Sequence, residues 1–340
     1  MTTGEFEEET SRRSFINPRN IALFIIFSMI VFALVGVYGD PDDVIQAIVS
    51  IPWYWVIPVM MMFSFLNYIF RYFKWQYYLR RIGVYLSHAD SFSVFLAGFT
   101  LTTTPGKIGE AVKGFFVHEI DGTPIVKTMP VVVSERVTDL LSLVILALVG
   151  FSVGVNSGDQ LLTVILLGGA VLAGAIVIGS KTFYRKFLSK ITSMGPLKRF
   201  QDSCDVIEVT MTRTLSPRPM LTSTLISTPG WFMECIELWL IFSILSGEPL
   251  SISLLLIATF IHASASIIGA LTFSPGGVGM YELTSTLLIQ FLLGWSKTLA
   301  GAATILIRVV TLWFSVIVGF IALGIVTRRT SKRQLEAPQA

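Results

Sequence analysis

The sequence predicts an all-α polytopic membrane protein with about six full spans and two re-entrant helical hairpins in an inverted repeat. Three observations predict it. Of 340 residues, 53% are apolar and 14% charged, against roughly 45–50% and 25% in a soluble domain. Several apolar runs exceed the roughly 18 residues at which a membrane-spanning helix becomes the default reading. A short proline–glycine motif occurs twice, each time between apolar legs and before an intramembrane arginine. The net charge of +3 comes from basic residues beside apolar runs, as in positive-inside loops, and gives no ground for a nucleic-acid partner. Cys204 and Cys235 form neither a disulfide framework nor a metal-ligand pattern.

Residues 1–20 mix Glu5, Glu7, Glu8 and Glu9 with Arg12, Arg13 and Arg19 without apolar periodicity, and read as a cytoplasmic tail. The first span, Ile21 to Tyr38, lacks a small-residue cleavage site and reads as an uncleaved anchor. An acidic outside loop, Gly39-Asp40-Pro41-Asp42-Asp43, follows. The second span runs from Trp53 to Phe70, and the aromatic and basic stretch Arg71 to Arg81 is expected to lie as an interfacial helix on the anionic cytoplasmic leaflet. Basic clusters at 181–219 and 328–340 mark two further cytoplasmic segments. Between the first two clusters, the runs Pro130 to Val155 and Leu161 to Ile178 go out and return. The leg Ser91 to Thr104, 14 residues or about 21 Å as helix, falls short of a core about 30 Å thick. It is expected to turn at Thr104–Glu110 and return over Ala111 to Ile120, a hairpin over about 91–120.

In the second half Met220 to Ser246 goes out and Leu299 to Val326 comes back, completing one transmembrane domain over 21–327. Ser251 to Phe273 and Tyr281 to Leu293 lie between them, a second hairpin over about 251–293 opened from the opposite side. Two complete spans also satisfy the parity there, although the short second leg favours the hairpin. Both termini are expected in the cytoplasm and the protein in the cell membrane.

Pro105-Gly106-Lys107-Ile108-Gly109 and Pro275-Gly276-Gly277-Val278-Gly279 share P-G-x-x-G, followed by Glu110 and Glu282. Arg136 and Arg308 come 27 and 29 residues after Gly109 and Gly279. Glycine permits close approach and positive φ, and proline removes a donor, so such turns at membrane depth require protein or water around them. Interrupted helices in inverted repeats are a transporter architecture, and a polar cavity between the hairpin tips is the expected consequence.

With Ser134-Glu135-Arg136-Val137-Thr138-Asp139, the two motifs resemble the flippase-like family that also forms the membrane half of lysylphosphatidylglycerol synthases. The resemblance covers Ile21 to Val326. It implies movement of an anionic, aminoacylated or polyprenyl-linked lipid between leaflets, with membrane lipids and a separate lipid-modifying enzyme as partners. The aminoacyl-transferring domain of the synthases is not seen after the membrane part, so lysyl transfer by this chain, or any enzymatic role, is not expected. No cofactor or metal is implied, and no Walker-type motif points to ATP hydrolysis. No feature of the sequence fixes the oligomeric state.

Charged groups at membrane depth cost at least about 2.5–3.5 kcal/mol each, so those present need protein or water partners. The candidate substrate-binding residues are Lys107, Glu110, Arg136, Asp139, Glu234, Glu237, Glu282 and Arg308, with Pro105, Gly106, Gly109, Pro275, Gly276, Gly277 and Gly279 shaping the turns. Two readings stand for Arg136 and Arg308: forks for a lipid phosphate, or locks paired to Glu110 and Glu282. Lys107 and Lys113 flank the first turn as attractors for an anionic headgroup, or Lys113 snorkels. Glu234 and Glu237 are candidates for a proton-linked or cation-binding site, or a structural salt bridge. His118 and His262 read as packing or interfacial residues. Gly150 and Gly154 read as close helix packing. The rival from another class is a polyprenyl-phosphate-dependent glycosyltransferase using Asp40, Asp42 and Asp43, although the same turn is an ordinary helix N-cap.

Overall fold

A computed structural model describes residues 18–102, 110, 112–154 and 204–336. Among these residues every regular element is helical. Pro18–Gly39 forms α1 and Pro41–Val49 forms α2. The break between them follows from Asp40, which precedes a proline, takes φ 72° and accepts the Asp42 amide at 3.2 Å. The acidic turn is therefore a helix cap. Trp53–Arg81 is one continuous helix, α3, which corrects the expected division at Phe70. The stretch assigned to the interface is internal instead: Lys74, Trp75 and Tyr78 are all fully buried. Their spacing from Arg71 at i+3, i+4 and i+7 puts the four on one helix face, and that face meets protein.

His88–Ala97 (α4) tightens into a 3₁₀ turn at Gly98–Leu101, and Val112–Asp121 (α5) returns beside it, so that Asp90 and Ile120 line one shallow pocket. Ile125–Gly154 is α6. Of the basic connector 181–219, only the part from 204 is described, and it holds a helix, Cys204–Leu215 (α7). Pro217–Ser246 (α8) starts on proline at its first position and ends before left-handed Gly247. Ile252–Leu271 (α9) and Met280–Leu293 (α10) form the second hairpin around Pro275–Gly277. Lys297–Arg308 (α11) runs through a π turn at Val309–Trp313 into Phe314–Glu336 (α12). Among the described residues five stretches are long and apolar enough to cross a membrane: Ala22–Gly39, Trp53–Arg81, Pro217–Ser246, Ile252–Leu271 and Lys297–Thr330. The outward faces are apolar too, with Leu23, Ile26, Leu34, Leu221 and Phe291 among the exposed side chains.

The two halves pack crosswise. α3 and α8 lie against each other, α4 packs on α12, and α9 packs on α6. Small residues permit both crossed contacts. A methyl group at Gly150 would sit 2.6 Å from the Leu256 carbonyl oxygen, and one at Gly319 would collide with the Thr100 amide nitrogen. Gly150 thus has the packing role its spacing suggested, while the surroundings of Gly154 lie outside the described part.

Candidate functional site

The buried polar groups form one seam along α3, α6 and α8 and a second cluster at the α9–α10 turn. The seam begins at Glu110. Its Oε2 accepts Arg136 Nη2 at 2.8 Å and lies 3.5 Å from Lys113 Nζ, which is 2.5 Å from Glu135 Oε2. Arg136 Nη1 is 3.5 Å from Asp139 Oδ2, and Lys74 Nζ donates to Asp139 Oδ1. Asp139 Oδ1 also accepts Ser227 Oγ at 2.6 Å and Trp231 Nε1 at 3.0 Å. Three cations thus alternate with three carboxylates, all but Arg136 almost fully buried. Lys113 passes beneath Gly98, where a methyl group would sit 2.9 Å from its stem, and rests 4.7 Å from the Trp75 ring.

At the second turn Arg308 Nε donates to Glu282 Oε1 at 2.6 Å and Nη2 to the Gly276 carbonyl at 2.8 Å. Glu282 Oε2 accepts the Gly279 amide at 2.6 Å. Gly276, Gly277 and Gly279 all take positive φ, between 61° and 94°, a region that non-glycine residues enter only at a cost. The arginine and glutamate hold the freed backbone groups that a membrane interior would leave without partners. Glu110 to Arg136 and Glu282 to Arg308 span the same 26 residues. This register is tighter than the one counted from the glycines.

A third group joins the clusters. Glu234 Oε2 lies 3.1 Å from His262 Nε2, whose Nδ1 is 2.9 Å from the Tyr281 hydroxyl. Ser64 donates to Glu237 Oε1 at 2.7 Å and reaches the Val310 carbonyl in the π turn at 2.9 Å. The second oxygen of Glu237 has no hydrogen-bond partner.

Of the sequence-derived residues, the structure brings Glu110, Arg136 and Asp139 together in the seam and Glu282 and Arg308 together at the second turn. Glu234 and Glu237 lie on α8 and turn to different partners. Both arginines are held by the motif glutamates, so the pairing reading describes them as they stand. Lys107, Pro105, Gly106 and Gly109 lie outside the described residues. Sequence reasoning missed Lys74, Glu135, Ser227, Trp231 and Tyr281, and gave His262 no carboxylate partner. The i, i+3, i+4, i+7 spacing along Arg71–Tyr78 was the available signal for Lys74.

Residues 21–319 match the family model described as the lysylphosphatidylglycerol synthase TM region. A UPF0104 membrane protein of Pyrococcus horikoshii is 24% identical over 273 residues, covering 72% of this chain and 79% of that protein. Another, of Methanothermobacter thermautotrophicus, is 23% identical over 328 residues, 89% of this chain and 94% of the relative. The crossed pair of helical halves, each with its glutamate–arginine lock, is therefore a multi-pass membrane protein belonging to the lysylphosphatidylglycerol synthase transmembrane-region family.

Proposed function

We propose that the chain is a non-enzymatic lipid translocase, which carries an anionic, aminoacylated or polyprenyl-linked lipid between the leaflets of the cell membrane. The observation that carries this reading is the buried seam of alternating charges between the two crossed halves. Six charged side chains inside a membrane domain are costly to maintain, and a polar path for a headgroup gives them a use while acyl chains stay in the bilayer. The topology has six full spans, both termini in the cytoplasm, and hairpins entering from opposite sides. The length of α10 supports it: 14 residues make about 21 Å of helix, short of a core about 30 Å thick. Alternating exposure of the seam and its neighbouring polar clusters on either side of the crossed contacts moves the headgroup, with Glu110, Arg136 and Asp139 of the seam, Glu234 and Glu237 of the third group, Glu282 and Arg308 of the second turn and Lys107 of the first motif along the path. A separate enzyme that modifies the lipid is the natural supplier of the substrate.

The test is leaflet exchange in proteoliposomes, with headgroup-labelled lipids and a membrane-impermeant quencher. Exchange several-fold faster than in empty vesicles is the expected result. Rates equal to empty vesicles for anionic, zwitterionic and polyprenyl lipids alike overturn the reading.

A further inference from the structure

Among the described residues the buried cations pair off almost completely. Lys74, Lys113 and Arg136 share Asp139, Glu135 and Glu110, and Arg308 holds Glu282. Arg71 stands apart. It is 7% exposed, and no carboxylate of the described residues lies within 4.0 Å of it. Its guanidinium rests over two rings, 5.0 Å from the centroid of Phe99 and 5.8 Å from that of Trp231. A guanidinium placed on aromatic faces keeps its N–H donors at the rim of its plane, where an oxyanion takes two at once.

Idle hydroxyl donors lie on the same helix and on the leg that carries Phe99. Tyr68 lies one turn earlier on α3, with its ring 4.9 Å from that of Phe99. Its buried hydroxyl has no hydrogen-bond partner, and neither do those of Thr100 and Thr102, on the leg that carries Phe99. Buried polar groups are ordinarily satisfied, so a buried cation without a close carboxylate, over the ring of Phe99 and one turn from the unused Tyr68 hydroxyl, describes a place made for an anion.

We propose that Arg71 is the anion-recognition point of the translocation path and binds the phosphate oxyanion of a lipid headgroup, with Tyr68 and the Thr100–Thr102 leg as accessory donors. The proposal rests on the translocase reading and deepens it by naming the recognised chemistry. Phosphodiesters of plain and aminoacylated glycerolipids and the phosphate of polyprenyl lipids share that oxyanion, so one arginine serves all three. Arg71 also adjoins the seam, because Trp231 carries Arg71 on its ring and donates to Asp139.

The experiment measures binding to the full-length protein in neutral detergent by thermophoresis. The probes are dihexanoyl phosphatidylglycerol, dihexanoylglycerol without the phosphate, and inorganic phosphate. Expected is saturable binding of the phospholipid only, weakened at least tenfold in Arg71→Gln and unchanged in Arg80→Gln, an exposed arginine of the same helix. Should Arg71→Gln fail to fold, Arg71→Lys keeps the charge without the fork, and a several-fold weakening is expected. Affinity equal to the native chain in whichever variant folds overturns the proposal. Arg71-dependent binding of inorganic phosphate without phospholipid binding also overturns it, since the source is then a free ion. Leaflet exchange measured alongside separates the two claims. Arg71-dependent phospholipid binding without exchange sinks the translocase reading and leaves the anion site standing; exchange with Arg71-independent binding does the reverse.

Discussion

Replacing Glu282 by glutamine tests the lock on the second turn. The carboxylate is fully buried and accepts two donors, Arg308 Nε at 2.6 Å and the Gly279 amide at 2.6 Å, on different oxygens. Glutamine keeps one acceptor and turns the other position into a donor, which faces either Arg308 or the Gly279 amide. A guanidinium 7% exposed then loses its countercharge. Removing one partner of a buried ion pair costs about 3–5 kcal/mol. At about 2 °C per kcal/mol for a chain of this length, the melting temperature in detergent should fall by about 6–10 °C. Glu110→Gln should cost less, because Arg136 is 21% exposed and keeps Asp139 at 3.5 Å. The assay is thermal unfolding of purified protein followed by tryptophan fluorescence. A coupling test completes it: Glu282→Gln combined with Arg308→Met should lose much less than the sum of the two single changes. A fall under about 2 °C for Glu282→Gln, or strict additivity in the double variant, refutes the lock.

Other consequences are simpler to check. Gly150→Ala and Gly319→Ala put a methyl group against backbone of the opposite half, and each should cost about 1–3 kcal/mol, whereas Gly36→Ala and Gly324→Ala, with nothing within 4 Å, should leave the melting temperature unchanged or higher. Gly279→Ala meets no atom within 4 Å but holds φ at 94°, so its loss, of order 1–3 kcal/mol, should come from backbone strain alone and leave the Glu282–Arg308 pair intact. Asp40, Asp42 and Asp43 changed together to Asn should leave leaflet exchange and stability near native, since Asn caps a helix as well as Asp. A collapse of activity in that triple variant, with the fold intact, points to the glycosyltransferase chemistry instead.

Much of the architecture was legible because membrane spans announce themselves by length and composition, and because P-G-x-x-G is rare enough to be noticed twice. The helix boundaries from Pro217 to Leu293 fall within a few residues of the apolar runs. Arg71 to Arg81 misled for a physical reason: aromatic and basic residues are what an interfacial helix uses, and also what a buried cation–aromatic face uses. Only their three- and four-residue spacing on a continuous helix separates the two. The seam partners were out of reach for another reason. Lys74 meets Asp139, and Glu234 meets His262, across 65 and 28 residues, and no local pattern records which helix faces which. The repeat was visible, but counting from glycine hid its register, which the glutamate–arginine span of 26 residues restores.

In the translocase reading the six seam charges serve passage of a headgroup, whereas the Glu282–Arg308 pair holds a turn. Lys74→Met with Asp139→Asn separates passage from stability in the seam. The pair of variants removes one charge of each sign and retains an oxygen for Trp231 Nε1, and replacing a buried ion pair in this way is often neutral or stabilising. The double variant should melt at or above the native temperature and exchange lipid at least tenfold more slowly, toward the rate of empty vesicles. A double variant that is equally stable and exchanges lipid at the native rate contradicts it.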